Sequence, residues 1–586
     1  MTRINKICRI ISAILTLIML ITNICVPAFA IDYTTDESQD GISSELLEMM
    51  NNNPDEAYKV VIWLEDIDTE TAVNEALAKI PDYEDEMARL YSSPITNEED
   101  AAKWEYFVST KRNAMKACYS VYTASFSNAY LTENEVIYNS EYMPIVIAEL
   151  SCERITDISE QSMIESIDYY NDEFSMETEN EIYSRDITLP LEHFSIQDNI
   201  SYIHADIFED VWGTSGYGVN IGIFDVGIPD ISYAGLSGAN ITVRDSSPVN
   251  DHATKVTEIA YKTAPDADFF CTTYAVYNRT TSSELDWLIN NNVDVINISC
   301  GVLVDLREDT INFYGNAARL LDSYVHKYDV TIVNAAGNSG ANTIRSGAMA
   351  YNVITVGNYY CPFGSVLDGA SSYNNVENTE YAFKPDICAP GYVIFGDNTS
   401  DEGTSYAAPL ITGVIALLMA CRSSLRTNPT QVKAILTASV SLTGPHGMPI
   451  NRSDYRKHGA GVVDASRANQ ILLSSDLYTS NIAPYASYQD YEVELFANQI
   501  TRISLAFEKV FSSNNAEYSL ADLDLIILDS FGEELYNSST DNNNVELVEF
   551  TPTAYDTYTI RVFQFAPAES SNSTGTTPYS IAWIQG

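Results

Sequence analysis

The sequence predicts an α/β domain on a doubly wound, mainly parallel sheet, with an α+β unit before it and an all-β sandwich after it. Three observations carry this. Residues 200–475 alternate apolar strands, GVNIGIF (218–224), VDVINIS (293–299), VTIVNAAG (330–337) and YNVITVG (351–357), with helical patterns at 283–291 and 315–328. Such alternation builds a parallel sheet with helices on both faces. From 476 to 586 the spacing drops to two, with Tyr558, Ile560 and Val562 set against Thr557, Thr559 and Arg561 and no helix of note, as in an antiparallel sandwich. Residues 31–170 carry strands at 58–64 (YKVVIWL), 144–150 (PIVIAEL) and near 166–170, with a helix at 154–163. That order is a ferredoxin-like β-α-β-β-α-β plan, interrupted by a helical insertion over 81–125.

The remaining segments are an address and a connector. Arg3, Lys6 and Arg9 precede a mainly apolar run from Ile10 to Ile21, and Ala28-Phe29-Ala30 supplies a small-x-small cleavage site. Residues 1–30 therefore read as a signal peptide; the run falls short of the ~20 apolar residues that a membrane span needs. Residues 171–199 read as an acidic linker holding a processing site, since 171–190 contain six acids and one Arg. The mature chain is expected to be secreted, extracellular, monomeric and free of the membrane.

Net charge is −50 over 586 residues, and loss of the three basic residues of the leader makes it more negative still. Such a balance repels phosphate backbones and anionic membranes, which excludes nucleic-acid binding. With 45% hydrophobic and 11% aromatic residues, the chain is no disordered acidic tail. Beyond the leader stand Cys118, Cys152, Cys271, Cys300, Cys361, Cys388 and Cys421. The odd count leaves a free thiol or an intermolecular bridge. No CxxC or Cys/His cluster suggests structural zinc, and most of these cysteines read as small buried apolar residues.

The chemistry lies in the 200–475 segment. Strand 218–224 delivers Asp225-Val226-Gly227 to its carboxyl end, where ligands gather in open α/β sheets. Asn250-Asp251-His252-Ala253-Thr254 opens a helix, with one of only six His in the chain. Gly403-Thr404-Ser405-Tyr406-Ala407-Ala408-Pro409 precedes the all-apolar LITGVIALLMA, so Ser405 starts a buried helix that carries it to the sheet edge. Asn334-Ala335-Ala336-Gly337-Asn338-Ser339-Gly340 sets an amide on a glycine-flanked loop. Acyl transfer needs this set. A serine hydroxyl attacks only when a neutral imidazole takes its proton, and a carboxylate must hold that imidazole's tautomer. A side-chain amide and a helix-terminal N–H can meet the oxyanion.

Six blocks over 200–475 resemble the subtilisin-like serine proteases (subtilases): IFDVG, DHATKV, VINISCG, NAAGNSG, GTSYAAP and GAGVVDA (459–465). The resemblance implies a subtilisin-like sheet and a triad of Asp225, His252 and Ser405, with Asn338 as oxyanion donor. It implies that Ser299, Cys300 and Gly301, with Ala336 and Gly337, bind extended peptide substrate. It also makes 31–170 an inhibitory propeptide acting within the same chain, and 476–586 a jelly-roll-like C-terminal domain. Three positions depart from the family. Val226 replaces a hydroxyl residue that supports the Asp, Ala253 replaces Gly, and Lys255 stands where a second His is common. Lys255 pointing inward would weaken the general base; pointing to solvent it would not. The family's calcium loop is missing after the His helix, so no metal or cofactor is assigned, calcium in the Asp-rich C-terminal domain around Asp522 and Asp524 being the reserve. The expected function is a secreted serine endopeptidase made as a zymogen. The alternative is a catalytically impaired subtilase fold kept as a binding protein.

Overall fold

The computed structural model describes residues 41–170, 194–245, 247–274, 279–305, 314–359, 371–374, 382–440, 455–483, 487–509, 520–566 and 576–586, and all structural statements concern these. The expected leader at 1–30, most of the 171–199 linker and Cys361 lie outside them.

The N-terminal unit is a four-stranded antiparallel sheet of β1 (Ala57–Leu64), β2 (Val136–Asn139), β3 (Ile145–Ser151) and β4 (Ile164–Tyr169), in the order β2-β3-β1-β4. The helix between β3 and β4 runs Cys152–Ser159, starting where the Ser151 side chain caps the Arg154 N–H. Helices run Glu70–Leu77, Tyr83–Tyr91 and, over 33 residues, Glu98–Tyr130, so the helical stretch extends past both ends of the expected 81–125.

The central sheet holds seven parallel strands: β5 (Asn220–Asp225), β6 (Asn240–Val243), β7 (Asp268–Thr273), β8 (Val295–Ile298), β10 (Thr331–Ala335), β12 (Ile354–Tyr359) and β13 (Ile387–Pro390). Their order is β13-β12-β10-β8-β5-β7-β6. β9 (Leu303–Asp305) and β11 (Thr343–Arg345) form a separate antiparallel pair. The chain fills one side of β5 and then crosses to the other, so the carboxyl ends of β5, β8 and β10 frame a crevice. The helix Ile196–Tyr202, closed by a capping box between Ser195 and Asp198, begins inside the expected linker.

Every residue of the helix Thr404–Cys421 is buried. It is the one described helix long and apolar enough to cross a membrane, and it lies wholly inside the protein. Gly413 lets it close on the helix Asp251–Thr263, since a Cβ there would fall 2.4 Å from the Cβ of Thr263. One interior thus joins the helix bearing Ser405 to the helix bearing His252.

The face of the N-terminal sheet carrying Val61, Trp63, Ile145 and Ile147 shares a hydrophobic cluster with Leu285, Leu288, Leu321 and Tyr324 on the helices Thr281–Asn290 and Asn316–Tyr328. Polar contacts ring that face. Arg112 is buried and donates to the carbonyls of Ile289, Val293 and Tyr328 at 3.4, 3.1 and 3.4 Å. Buried Asp286 accepts from Tyr138 Oη (2.5 Å), Ser140 Oγ (2.8 Å), the Glu141 N–H (3.0 Å) and Tyr324 Oη (2.5 Å). The C-terminal unit stacks two four-stranded antiparallel sheets around Tyr558, Ile560 and Val562, the set the alternation picks out. Its strand Thr501–Phe507 is buried at every residue, because its outer face packs on the helix Pro429–Ala438, where Thr437 meets Ser504 at 2.7 Å. All six described cysteines are free thiols, four of them buried.

Candidate active site

Asp225 is the last residue of β5 and is fully buried. Its Oδ1 accepts from His252 Nδ1–H at 2.7 Å and from the Val226 N–H at 2.6 Å. Its Oδ2 has no hydrogen-bond partner among the described residues. A hydroxyl at 226 is what the family uses beside this carboxylate, so the apolar Val226 accounts for the difference. His252 is held from the other side. The helix Asp251–Thr263 is capped by Asn250, whose Oδ1 accepts the His252 N–H at 2.8 Å, so the imidazole leaves the first turn facing Asp225.

Burial works to lower the His252 pKa, but the Asp225 charge and hydrogen bond outweigh it and hold the imidazole above its ordinary value; Arg345 subtracts from that gain and Asp401 adds to it. Lys255 takes no part. It lies neither inward on the ring nor free in water: its Nζ pairs with Asp251 at 3.0 Å and sits 5.1 Å over the Phe395 ring. Ala253 is buried in the core, its added methyl accommodated there.

Ser405 is the second residue of its helix and only 4% exposed. Its Oγ donates to the Ser299 carbonyl at 3.2 Å and accepts from Arg345 Nη2 at 3.4 Å. No hydrogen bond joins it to His252 among the described residues. The imidazole is close by, because the Tyr406 ring next to Ser405 stands 5.6 Å from it and anchors its own Oη on Asp401 at 2.5 Å. A buried polar chain fixes the strand end against the helix: Thr412 Oγ1 donates to Asn297, Asn297 Nδ2 to Ser299 Oγ, and Ser299 Oγ to the Ser405 carbonyl, at 3.1, 2.9 and 3.0 Å.

Asn338 follows β10 and reaches the same helix terminus. Its Oδ1 accepts the Thr404 N–H at 2.8 Å and Thr404 Oγ1–H at 3.0 Å, which fixes Nδ2 as the donor end of the amide. Gly403 permits the approach, since a Cβ there would lie 2.9 Å from that nitrogen. Asp225, His252, Ser405 and Asn338 thus come from four separate stretches to one sheet edge.

Of the expected substrate-binding residues, Ser299 touches Ser405 directly, and Cys300 turns its buried thiol to the Phe224 carbonyl at 3.6 Å. Burial pushes the Cys300 thiol well up, so it remains protonated. Ala336 and Gly337 have spent their backbone groups internally. Ala336 bonds Val356 and Arg345, and Gly337 bonds Thr404 Oγ1 and Ser372. Arg345, Tyr406, Asp401 and Thr404 escape a linear reading; only Thr404 and Tyr406 adjoin a motif residue.

Residues 216–467 match the model of the subtilase family. This segment is a subtilase domain. The chain is 25% identical over 367 residues to a thermostable alkaline protease of Halalkalibacterium halodurans, covering 57% of this chain and 86% of that relative. It is 26% identical over 184 residues to a subtilisin-like protease of Arabidopsis thaliana, covering 28% of this chain and 24% of the relative. Pyrolysin of Pyrococcus furiosus is 29% identical over 210 residues, 29% of this chain and 15% of that one. The chain therefore spans a quarter or less of the length of some of these relatives and most of another. Among solved structures, the epidermin leader peptide processing protease of Staphylococcus aureus covers 59% of this chain and 96% of its own, at 18% identity and a TM-score of 0.43. The subtilase domain is that of a serine endopeptidase.

Proposed function

We propose that the whole chain is a secreted serine endopeptidase, made as a zymogen, in which the N-terminal unit inhibits the subtilase domain until a cut within 171–199 separates them. The observation that carries the reading is the 2.7 Å Asp225–His252 bond at the sheet edge where Ser405 and Asn338 meet. Rotation of the Ser405 side chain off the Ser299 carbonyl brings Oγ to the imidazole. The Oγ proton passes to His252 Nε2 while Oγ bonds the substrate carbonyl carbon, and Asp225 stabilises the resulting imidazolium. The oxyanion is met by Asn338 Nδ2–H and the Ser405 N–H at a helix N-terminus. Collapse breaks the C–N bond, His252 returns the proton to the departing amine, and water repeats the cycle on the acyl-enzyme. No step calls for a metal or cofactor, and the working form is a monomer.

A second reading, a subtilase fold kept for binding, draws support from one observation: Ser405 Oγ is engaged by Ser299 and Arg345 and not by His252. A fluorophosphonate probe separates the two. Covalent labelling at Ser405, lost in Ser405→Ala, supports the peptidase. A purified, processed chain that takes no label and cuts no peptide would leave the binding reading standing.

A further inference from the structure

We infer that Tyr406 and Asp401 position the general base: the phenol ring, clamped by the Asp401 carboxylate, holds the His252 imidazole on Asp225 while Ser405 is turned away. That base role rests on the peptidase reading above. Among the described residues the imidazole makes one hydrogen bond, Nδ1–H to Asp225 Oδ1 at 2.7 Å. One bond fixes a point and not a plane, so the ring could still turn about the Nδ1–Oδ1 line. The carboxylate adds no second point, because its Oδ2 has no hydrogen-bond partner among those residues and Val226 offers no hydroxyl. Ser405 adds none either, its Oγ being engaged by Ser299 and Arg345. The Tyr406 ring does. Its centroid lies 5.6 Å from that of the imidazole at a tilt of 48°, within the range of aromatic contact.

Tyr406 is itself fixed. It is 4% exposed, and its Oη donates to Asp401 Oδ2 at 2.5 Å. Phe395 meets the ring edge-on at 5.7 Å and 69°. Asp401 Oδ1 accepts the Glu402 N–H at 2.9 Å, so both oxygens of the carboxylate are held. Burial and the Asp401 charge push the Tyr406 hydroxyl well up, and it stays a donor. Asp401 lies on the strand Ser400–Glu402, opposite Val393 of the strand Tyr392–Ile394. The first described residues of the domain pin that hairpin. The Ile394 N–H donates to the Phe194 carbonyl at 2.7 Å and Asn199 Nδ2 to the Tyr392 carbonyl at 3.0 Å. The Phe194 ring meets Tyr392 edge-on at 5.5 Å. A chain of contacts thus runs from Phe194 through the hairpin and Tyr406 to the imidazole.

The clamp matters most when charge forms. On taking the Oγ proton, His252 becomes a cation between the Asp225 carboxylate and an aromatic ring, which attracts cations at that range. Hydrogen bonding of the phenol to Asp401 enriches the ring in electrons and strengthens the attraction. These effects grow toward the transition state, so they raise kcat and leave substrate binding alone. The same contacts bound maturation: a cut that keeps the clamp falls within 171–193 and leaves Phe194 on the catalytic chain.

The test compares Tyr406→Phe, Tyr406→Leu, Asp401→Asn and the double variant Tyr406→Phe/Asp401→Asn with the wild type, as processed protein, with melting temperature as the control on folding. Tyr406→Phe and Asp401→Asn should each lower kcat about three- to tenfold with KM unchanged, the effect of one hydrogen bond. Tyr406→Leu, which loses the ring, should lower it about ten- to a hundredfold, as a misplaced catalytic group does. The double variant should fall no further than the worse single one, since one device is broken either way. In the full Ser405→Ala chain, the downfield proton resonance of His252 Nδ1–H should be sharp, and should broaden when Tyr406→Leu is added. A folded Tyr406→Leu protein with wild-type kcat and a sharp resonance overturns the inference, as do single losses that multiply in the double variant. A mature chain that begins after Phe194 and retains full kcat overturns it too. Wild-type protein that takes no fluorophosphonate label and cuts nothing removes the peptidase reading, and the resonance then still decides whether Tyr406 holds the ring.

Discussion

In the proposed mechanism Asn338 carries two functions on one amide, and two substitutions can part them. Its Oδ1 accepts two bonds from Thr404, at 2.8 and 3.0 Å, which cap the helix that presents Ser405. Its Nδ2–H is the end proposed to meet the charge that forms with the tetrahedral intermediate. Asn338→Ala removes both ends. Loss of the donor should lower kcat by about 10²–10³ with KM little changed, the size seen when one such donor is removed from subtilisin. Loss of the cap should cost about 1–2 kcal/mol, which for a unit of this size lowers the melting temperature by roughly 2–8 °C. Asn338→Asp keeps an acceptor for the Thr404 N–H and cannot donate. It should match the Ala variant's kcat while recovering most of the stability. Steady-state kinetics and a calorimetric melt on the three proteins decide the matter. An Asp variant with wild-type kcat, or an Ala variant that loses affinity while keeping turnover, would show that Asn338 holds the helix and does nothing for the oxyanion.

Other outcomes follow from the same geometry. Ser405→Ala should abolish hydrolysis and leave the melt unchanged, on the order of the 10⁶ loss known for such a knockout in subtilisin. The same variant, expressed in a host lacking other exported proteases, should remain uncut between Asn171 and Ser201, and equal processing of both chains by mass would sink self-maturation. Because Asp225 holds His252 above the ordinary imidazole value of about 6.5, the acid limb of kcat/KM should lie above that pH. Arg345→Gln should move it higher and Asp401→Asn lower, since those charges act in opposite senses; limbs that do not move would remove both residues from the site's electrostatics. The stabilising part of the Asp225–His252 pair is present below the unfolded-state pKa and fades as pH rises through the folded one. No group of three or more His, Cys, Asp or Glu among the described residues is set to hold a metal ion, so EGTA should leave the melting temperature unchanged; a large drop reversed by calcium would expose a missed site.

Much of this protein was legible in order along the chain, because the physics behind it is local. Two- and 3.6-residue spacing reports which face a segment buries, and the β5, β8, β10 and β12 strands lie where that spacing puts them. Asp225, His252, Asn338 and Ser405 each sit at the end of an element whose apolar run announces it, and their residue types restrict the chemistry. The details that spacing could not supply are those made by segments meeting. The N-terminal sheet buries Trp63 beside Leu285 and Leu321, though nothing near any of these residues names its partner. Lys255 finds Asp251 one turn back on its own helix, but it meets Phe395 only because that helix packs where it does. Arg345 is 60 residues from Ser405, in a stretch without motif or period. It reaches the nucleophile because the β9–β11 pair turns the chain back across the crevice. Sequence determined the reagents and the helix and strand ends that present them. Tertiary structure decided the resting contacts of Ser405, the orphaned oxygen of Asp225 and the cation at its side, because burial and charge pairing depend on distances that only the packed chain sets.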